Sequence, residues 1–148
     1  MRKLVLIVFP FVTVFLSSCS SPLEKAVKAD KADEPDLVTT EKGPINLDGA
    51  GAAEVLASDS SITILDIRTP EEFAEGHIKG AVNIDFTAGD FEAKVSELDR
   101  EKPYLVHCAS GNRSGQSMPV FDKLKFSRLY HLSSGFKGWV ADGQPVEK

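Results

Sequence analysis

Cys108, Ala109, Ser110, Gly111, Asn112, Arg113 and Ser114 form the stretch of this sequence whose residue types and spacing can do chemistry. A thiol stands at its head and a guanidinium near its end, with small or flexible residues between. Just upstream, Tyr104, Leu105, Val106 and His107 read as a buried strand. From Ser114 onward, Met118, Phe121 and Leu124 are spaced for burial along a helix. A loop between such a strand and helix lies at the carboxyl end of a parallel strand, where open α/β sheets place their sites. Its backbone N–H groups and the first turn of the helix converge into an anion cradle. That field favours thiolate over thiol and lowers a cysteine pKa from about 8.5 into the range of about 3.5–7.5. Gly111 lets the chain turn tightly without a Cβ clash. Arg113 adds a fixed charge and planar donors for an anionic substrate.

Many free cysteines are only small buried residues, so loop composition by itself leaves the reactivity of Cys108 open. His107 is adjacent, but side chains alternate along a strand, so it is expected to point away from the thiol and to act as support. His77 and His131 are far apart in sequence, no metal-ligand spacing is present, and no cofactor is implied.

The elements that must position this loop follow an α/β pattern from Ile45 onward. Residues 50–57 can form a short helix with Ala53, Leu56 and Ala57 along one side. Residues 62–65 are an apolar, β-branched strand ending at Asp66. Thr69, Pro70 and Glu72 spell a helix start, with Pro70 at the first helical position and a capping box between Thr69 and Glu72. Gly76 is expected to end that helix in the left-handed conformation. Residues 81–84 read as a second strand, and Phe91, Val95 and Leu98 mark one stripe of a helix. Pro119 predicts a kink or a broken turn in the helix after the cysteine loop. Residues 129–132 are a fourth strand and 136–141 a terminal helix. Strands separated by helices need crossovers, so the sheet is mainly parallel with both faces covered.

The first 18 residues read as an address. Arg2 and Lys3 precede an apolar stretch, residues 4–16, that is shorter than the roughly 20 residues of a membrane span. Leu16, Ser17, Ser18 and Cys19 resemble the bacterial lipobox, in which the cysteine becomes the lipidated first residue of the mature chain. Residues 19–44, rich in Lys, Asp, Glu, Ala and Pro through residue 42, read as a lipid-anchored tether, and residues 45–148 as the folded domain. The expected location is the cell envelope, with the domain in the periplasm. Ser20 follows Cys19 where an Asp would suggest inner-membrane retention, so the outer membrane is favoured. Without residues 1–18 the chain carries 15 basic against 22 acidic side chains, which excludes a basic nucleic-acid face or a polybasic membrane patch. If Cys19 is lipidated, Cys108 has no disulfide partner and remains a free thiol.

The run Asp66-Ile67-Arg68-Thr69-Pro70-Glu71-Glu72-Phe73-Ala74-Glu75-Gly76-His77-Ile78-Lys79-Gly80-Ala81 resembles the first signature of rhodanese domains, D-x-R-x-x-x-E-F-x-x-G-H-I-x-G-A. The cysteine loop resembles their active-site signature C-x-x-G-x-R-S, and Gly135 to Trp139 resembles their closing G-x-x-x-W. The resemblance runs from about Ile45 to the C-terminus in the right order. It implies a three-layer fold with a five-stranded, mainly parallel sheet flanked by helices. It also implies that Cys108 takes a sulfane sulfur from a donor such as thiosulfate and passes it to cyanide or to a thiol, which a partner protein could carry. Asp66 and Arg68 would hold loops together, and Trp139 would be core or pocket wall. Two departures stand out. Ala109 and Ser110 replace the basic residue that some thiosulfate-using relatives carry just after the cysteine. Ser134 stands where a second glycine is common, on what is expected to be a surface turn. The alternatives are a non-catalytic binding or sensory module, and a related cysteine phosphatase or arsenate reductase. The latter keeps five residues between Cys and Arg, whereas four stand here.

Overall fold

The computed structural model describes residues 43–148; the expected leader, Cys19 and the expected tether through residue 42 lie outside the described residues. The described chain begins with β1 (Ile45–Leu47), α1 (Gly49–Ser58), β2 (Thr63–Asp66), α2 (Pro70–Glu75), β3 (His77–Ile78) and β4 (Val82–Asn83). It continues with α3 (Phe91–Ser96), β5 (Pro103–His107), α4 (Asn112–Lys123), β6 (Arg128–Leu132), α5 (Gly135–Ala141) and β7 (Val146–Glu147). The main sheet has five strands in the order β1-β6-β5-β2-β4, and every pairing in it is parallel. All five residues of the central strand β5 are buried, as a strand covered on both faces requires.

Strand alternation divides the core in two. Leu65, Tyr104 and Val106 point into one cluster with Phe91, Val95, Met118 and Phe121, beneath α3 and α4. Ile64 and Leu105 point into the other with Ala52, Leu132 and Trp139, beneath α1 and α5. The connection from β2 returns to its neighbour β4, while that from β5 returns to β6 on the opposite side. The carboxyl ends of β2 and β5 therefore flank a topological switch point, and the loops carrying Asp66, Arg68 and Cys108 leave the sheet there.

Local chemistry sets the short helices. The Thr69–Glu72 capping box forms as expected, with Pro70 in the first turn. Gly76 ends α2 with φ 159° and ψ 143°, an extended conformation in place of the expected left-handed one. The helix after the cysteine loop is not broken at Pro119 but runs on to Lys123. The carbonyl that Pro119 leaves without a donor belongs to Gly115, which is exposed, so water can serve it. A second, antiparallel pair joins β3 to β7 and ties the end of the chain to the exit of α2. Its strands are two residues each, too short to show any alternation in the sequence.

Candidate active site

Cys108 leaves the end of β5 on the side of Val106 and Met118 and is 1% exposed. The backbone N–H groups of Ser114, Ser110 and Gly111 point at its sulfur. The Ser114 hydroxyl lies 3.6 Å from Sγ and completes the ring of donors. Burial pushes the thiol up, but the four donors outweigh it and hold the cysteine below its ordinary value. The expected anion cradle is thus present around the sulfur.

The cradle keeps its shape because the turn between β6 and α5 locks it. Gly111 has φ 85°, and a Cβ there would strike the Ser133 carbonyl. Gly135 has φ 62°, and its Cβ would meet the Ser110 nitrogen at 2.5 Å. Neither position accepts a side chain. The Phe136 N–H donates to the Cys108 carbonyl at 2.8 Å, and the Lys137 N–H to the Ala109 carbonyl at 3.0 Å. Ser134 is not simply on a surface turn, since its Oγ is buried and has no hydrogen-bond partner. Its φ of −78° and ψ of −13° need no glycine, which is why the residue is tolerated.

Arg113 does not stand free in the pocket. Its guanidinium forks onto Glu72 of α2, Nη1 to Oε2 at 2.7 Å and Nη2 to Oε1 at 2.8 Å. The Arg113 fork holds the Glu72 carboxyl far below the usual carboxylate range, at about 2. In turn the Glu72 carboxylate raises the Arg113 pKa, with a smaller contribution from Cys108. Glu72 therefore caps α2, accepts the Thr69 N–H and neutralises the one charge of the cysteine loop. The sequence reading assigned it only the cap, although it stands inside the first signature. Ala109 is half-buried, and Ser110 and Asn112 are exposed on the outer rim of the loop.

Asp66 and Arg68 lie on the other side of β5 and do not reach the sulfur ring. Arg68 Nε donates to both Asp66 oxygens at 2.9 Å, and Nη2 bridges Asp66 Oδ2 at 2.6 Å and the Gly76 carbonyl at 2.8 Å. The guanidinium lies 4.0 Å above the Phe136 ring. His107 points away from the thiol, as strand alternation requires, with Nε2 3.7 Å from Asp66 Oδ2. Burial holds its imidazole below the usual range, so it is neutral near pH 7. Trp139 is core and donates through Nε1 to the Pro145 carbonyl at 2.9 Å.

The structure adds His131 to the sulfur side. Its Nε2 is 2.9 Å from Ser114 Oγ and its Nδ1 2.8 Å from Asn46 Oδ1 on β1. Only the parallel register of β6 beside β5 puts it there, and no local pattern carries that register.

An open cavity of about 550 Å³ adjoins the loop, with Ala109, Phe136 and Val140 on its apolar side and Arg68, Glu72 and Lys137 among its polar groups. Fold and site together define an α/β domain that presents a buried cysteine in an amide-lined loop at the end of its central strand. The rhodanese-like domain family model matches residues 50–142, and the chain belongs to that family. It is 27% identical over 100 residues to a sulfurtransferase of Allochromatium vinosum, across 68% of this chain and 92% of that one. It is 32% identical to the putative sulfurtransferase YtwF of Bacillus subtilis, across 65% of this chain and 90% of that one. The thiosulfate sulfurtransferase GlpE of Pseudomonas aeruginosa is 35% identical across 55% of this chain and 72% of its own. The crystal structure of a rhodanese-related protein from Thermoplasma volcanium superposes with a TM-score of 0.61 at 29% identity, covering 70% of this chain and 97% of that one.

Proposed function

We propose that the protein is a sulfurtransferase that carries one sulfane sulfur on Cys108. The observation that carries this reading is the ring of three amides and one hydroxyl around a buried sulfur. With thiosulfate as donor, the Cys108 thiolate attacks the outer sulfur and a new S–S bond forms. The bond to the inner sulfur breaks, and sulfite leaves with its electron pair. The persulfide's outer sulfur is then attacked by cyanide or a thiolate, which returns the Cys108 thiolate. Donors fixed around the sulfur before reaction stabilise each anion without reorganising. Family membership and the names of the relatives support the same reading.

The donor's charge is a separate matter. Arg113 is already forked onto Glu72, and Ala109 and Ser110 are uncharged, so the loop offers a thiosulfate dianion no free guanidinium. A sulfane-sulfur donor of lower charge fits this loop better, and thiosulfate serves as the simplest probe. Steady-state formation of thiocyanate from thiosulfate and cyanide tests the reading. Turnover that disappears in Cys108→Ser supports it; turnover equal in both proteins contradicts it.

The envelope location belongs to the same proposal and rests on Leu16, Ser17, Ser18 and Cys19. Lipidation at Cys19 would hold the domain at the membrane through the tether and leave Cys108 free for sulfur chemistry.

A further inference from the structure

Ser114 has one hydroxyl proton and three neighbours that can take it. Its Oγ is 2.9 Å from His131 Nε2, 3.1 Å from the Gly111 carbonyl and 3.6 Å from Cys108 Sγ. The Gly111 carbonyl also lies 3.2 Å from His131 Nε2. We propose that His131 is a positioning residue for the sulfur: when its Nε2 carries the proton it serves Gly111 and the Ser114 lone pairs, and so leaves the Ser114 hydroxyl proton to Cys108.

The other tautomer does the reverse. With the proton on Nδ1, His131 donates to Asn46 Oδ1, 2.8 Å away, and its bare Nε2 takes the hydroxyl proton from Ser114. The sulfur then loses that donor. Turning the Asn46 amide over offers an N–H₂ to Nδ1, so each tautomer has a partner on β1. A thiolate or persulfide anion is the stronger acceptor and draws in the first arrangement.

The charged and titratable groups around the sulfur leave this role to His131. On α4, Arg113 acts on the sulfur but is held by Glu72 of α2. On β5, His107 faces Asp66 and Arg68 from β2, away from the thiol. On α5, Lys137 lines the neighbouring cavity.

The inference rests on the sulfur-carrier reading, but its test needs no sulfur donor: the rate of Cys108 alkylation against pH in the full chain. His131→Phe leaves the Gly111 carbonyl to claim the hydroxyl proton, and the midpoint is expected to rise by about one pH unit, the weight of one hydrogen bond to an anion. His131→Asn, polar but too short to reach Ser114, is expected to rise alike and keeps the test open if the Phe variant does not fold. His131→Gln, which can present an N–H near the Nε2 position, should stay close to the wild type. In a Ser114→Ala background, His131→Asn should add almost nothing, because the two act through one proton. An unchanged midpoint in the folded Phe and Asn variants overturns the inference, as does an undiminished shift in the Ser114→Ala background. Thiocyanate formation is measured in parallel, so loss of the sulfur-carrier reading would be visible separately.

Discussion

Two buried polar clusters flank the end of β5, and each contains a histidine. On one side Asp66 and Arg68 brace the fold, with four bonds from the Arg68 side chain consumed by Asp66 and Gly76, while His107 lies beside them with its buried Nε2 unbonded, 3.7 Å from Asp66 Oδ2. On the other, the donors of Ser110, Gly111 and Ser114 converge on a single sulfur that can still accept a bond and react. Burial and titratable groups are common to both. What separates the site from the brace is that its donors converge on one nucleophilic atom, whereas the bonds of the brace join a carboxylate to a guanidinium.

The largest expected effect breaks the brace. Arg68→Met leaves Asp66, which is fully buried, without its counter-charge. Denaturant unfolding should show a loss of about 3–5 kcal/mol. The alkylation midpoint of Cys108 in the protein that remains folded should hardly move. A midpoint that moves with the stability would mean that the two clusters are one.

The cradle itself is sharpened by the same titration in the wild-type protein. The Cys108 midpoint should fall below that of a model thiol, because its donors outweigh its burial. A midpoint at or above the model thiol removes the distinction between the clusters.

Glu72 and Arg113 bridge α2 to the cysteine loop, and their pairing makes a smaller prediction. Glu72 is depressed to about 2, so its stabilisation is full above the unfolded carboxylate value and is lost as pH falls toward 2. The carboxylate is about one-third exposed, so solvent screening limits the effect of Glu72→Gln to about 1 kcal/mol in melts near pH 7. The same change frees the guanidinium, and kcat/KM for thiosulfate should rise severalfold. Arg113→Ala leaves the Glu72 carboxylate unpaired beside the loop, and the repulsion should lower kcat/KM for anionic donors more than the change lowers Tm. A fall with Glu72→Gln would mean that the pair, and not the free charge, is the working form.

The smallest effect is expected from Cys19→Ala. It should abolish labelling by a fatty-acid analogue in a bacterial host and change where the protein fractionates. Sulfur transfer by the purified protein should stay at the wild-type rate, since the proposed sulfur carrier is Cys108 and not Cys19. Label that persists in the variant, or is absent from the wild type, contradicts the anchor.

Much of this was legible in the residues. The four strands at 62–65, 81–84, 104–107 and 129–132 lie within a residue or two of their observed places, and the capping box of Thr69 formed with both its bonds. These signals are local: periodicity, caps and turn residues. What stayed hidden depends on register and pairing across the sheet. His131 meets Ser114 only because β6 lies parallel to β5, and Arg113 meets Glu72 across 41 residues of chain. At Pro119 the turn does not break, because the proline rule concerns the bond it removes and the residue left without a donor, Gly115, is exposed.

The central claim is that Cys108 is the atom on which sulfur is carried. An intact-mass spectrum of the purified protein after exposure to thiosulfate and removal of the excess tests it most directly. A single added sulfur is expected that maps to Cys108, disappears on addition of cyanide and is absent from Cys108→Ser. A wild-type protein that gains no sulfur from thiosulfate or from a less charged persulfide donor, or that gains it at Cys108 and does not release it to cyanide or a thiol, would contradict the account.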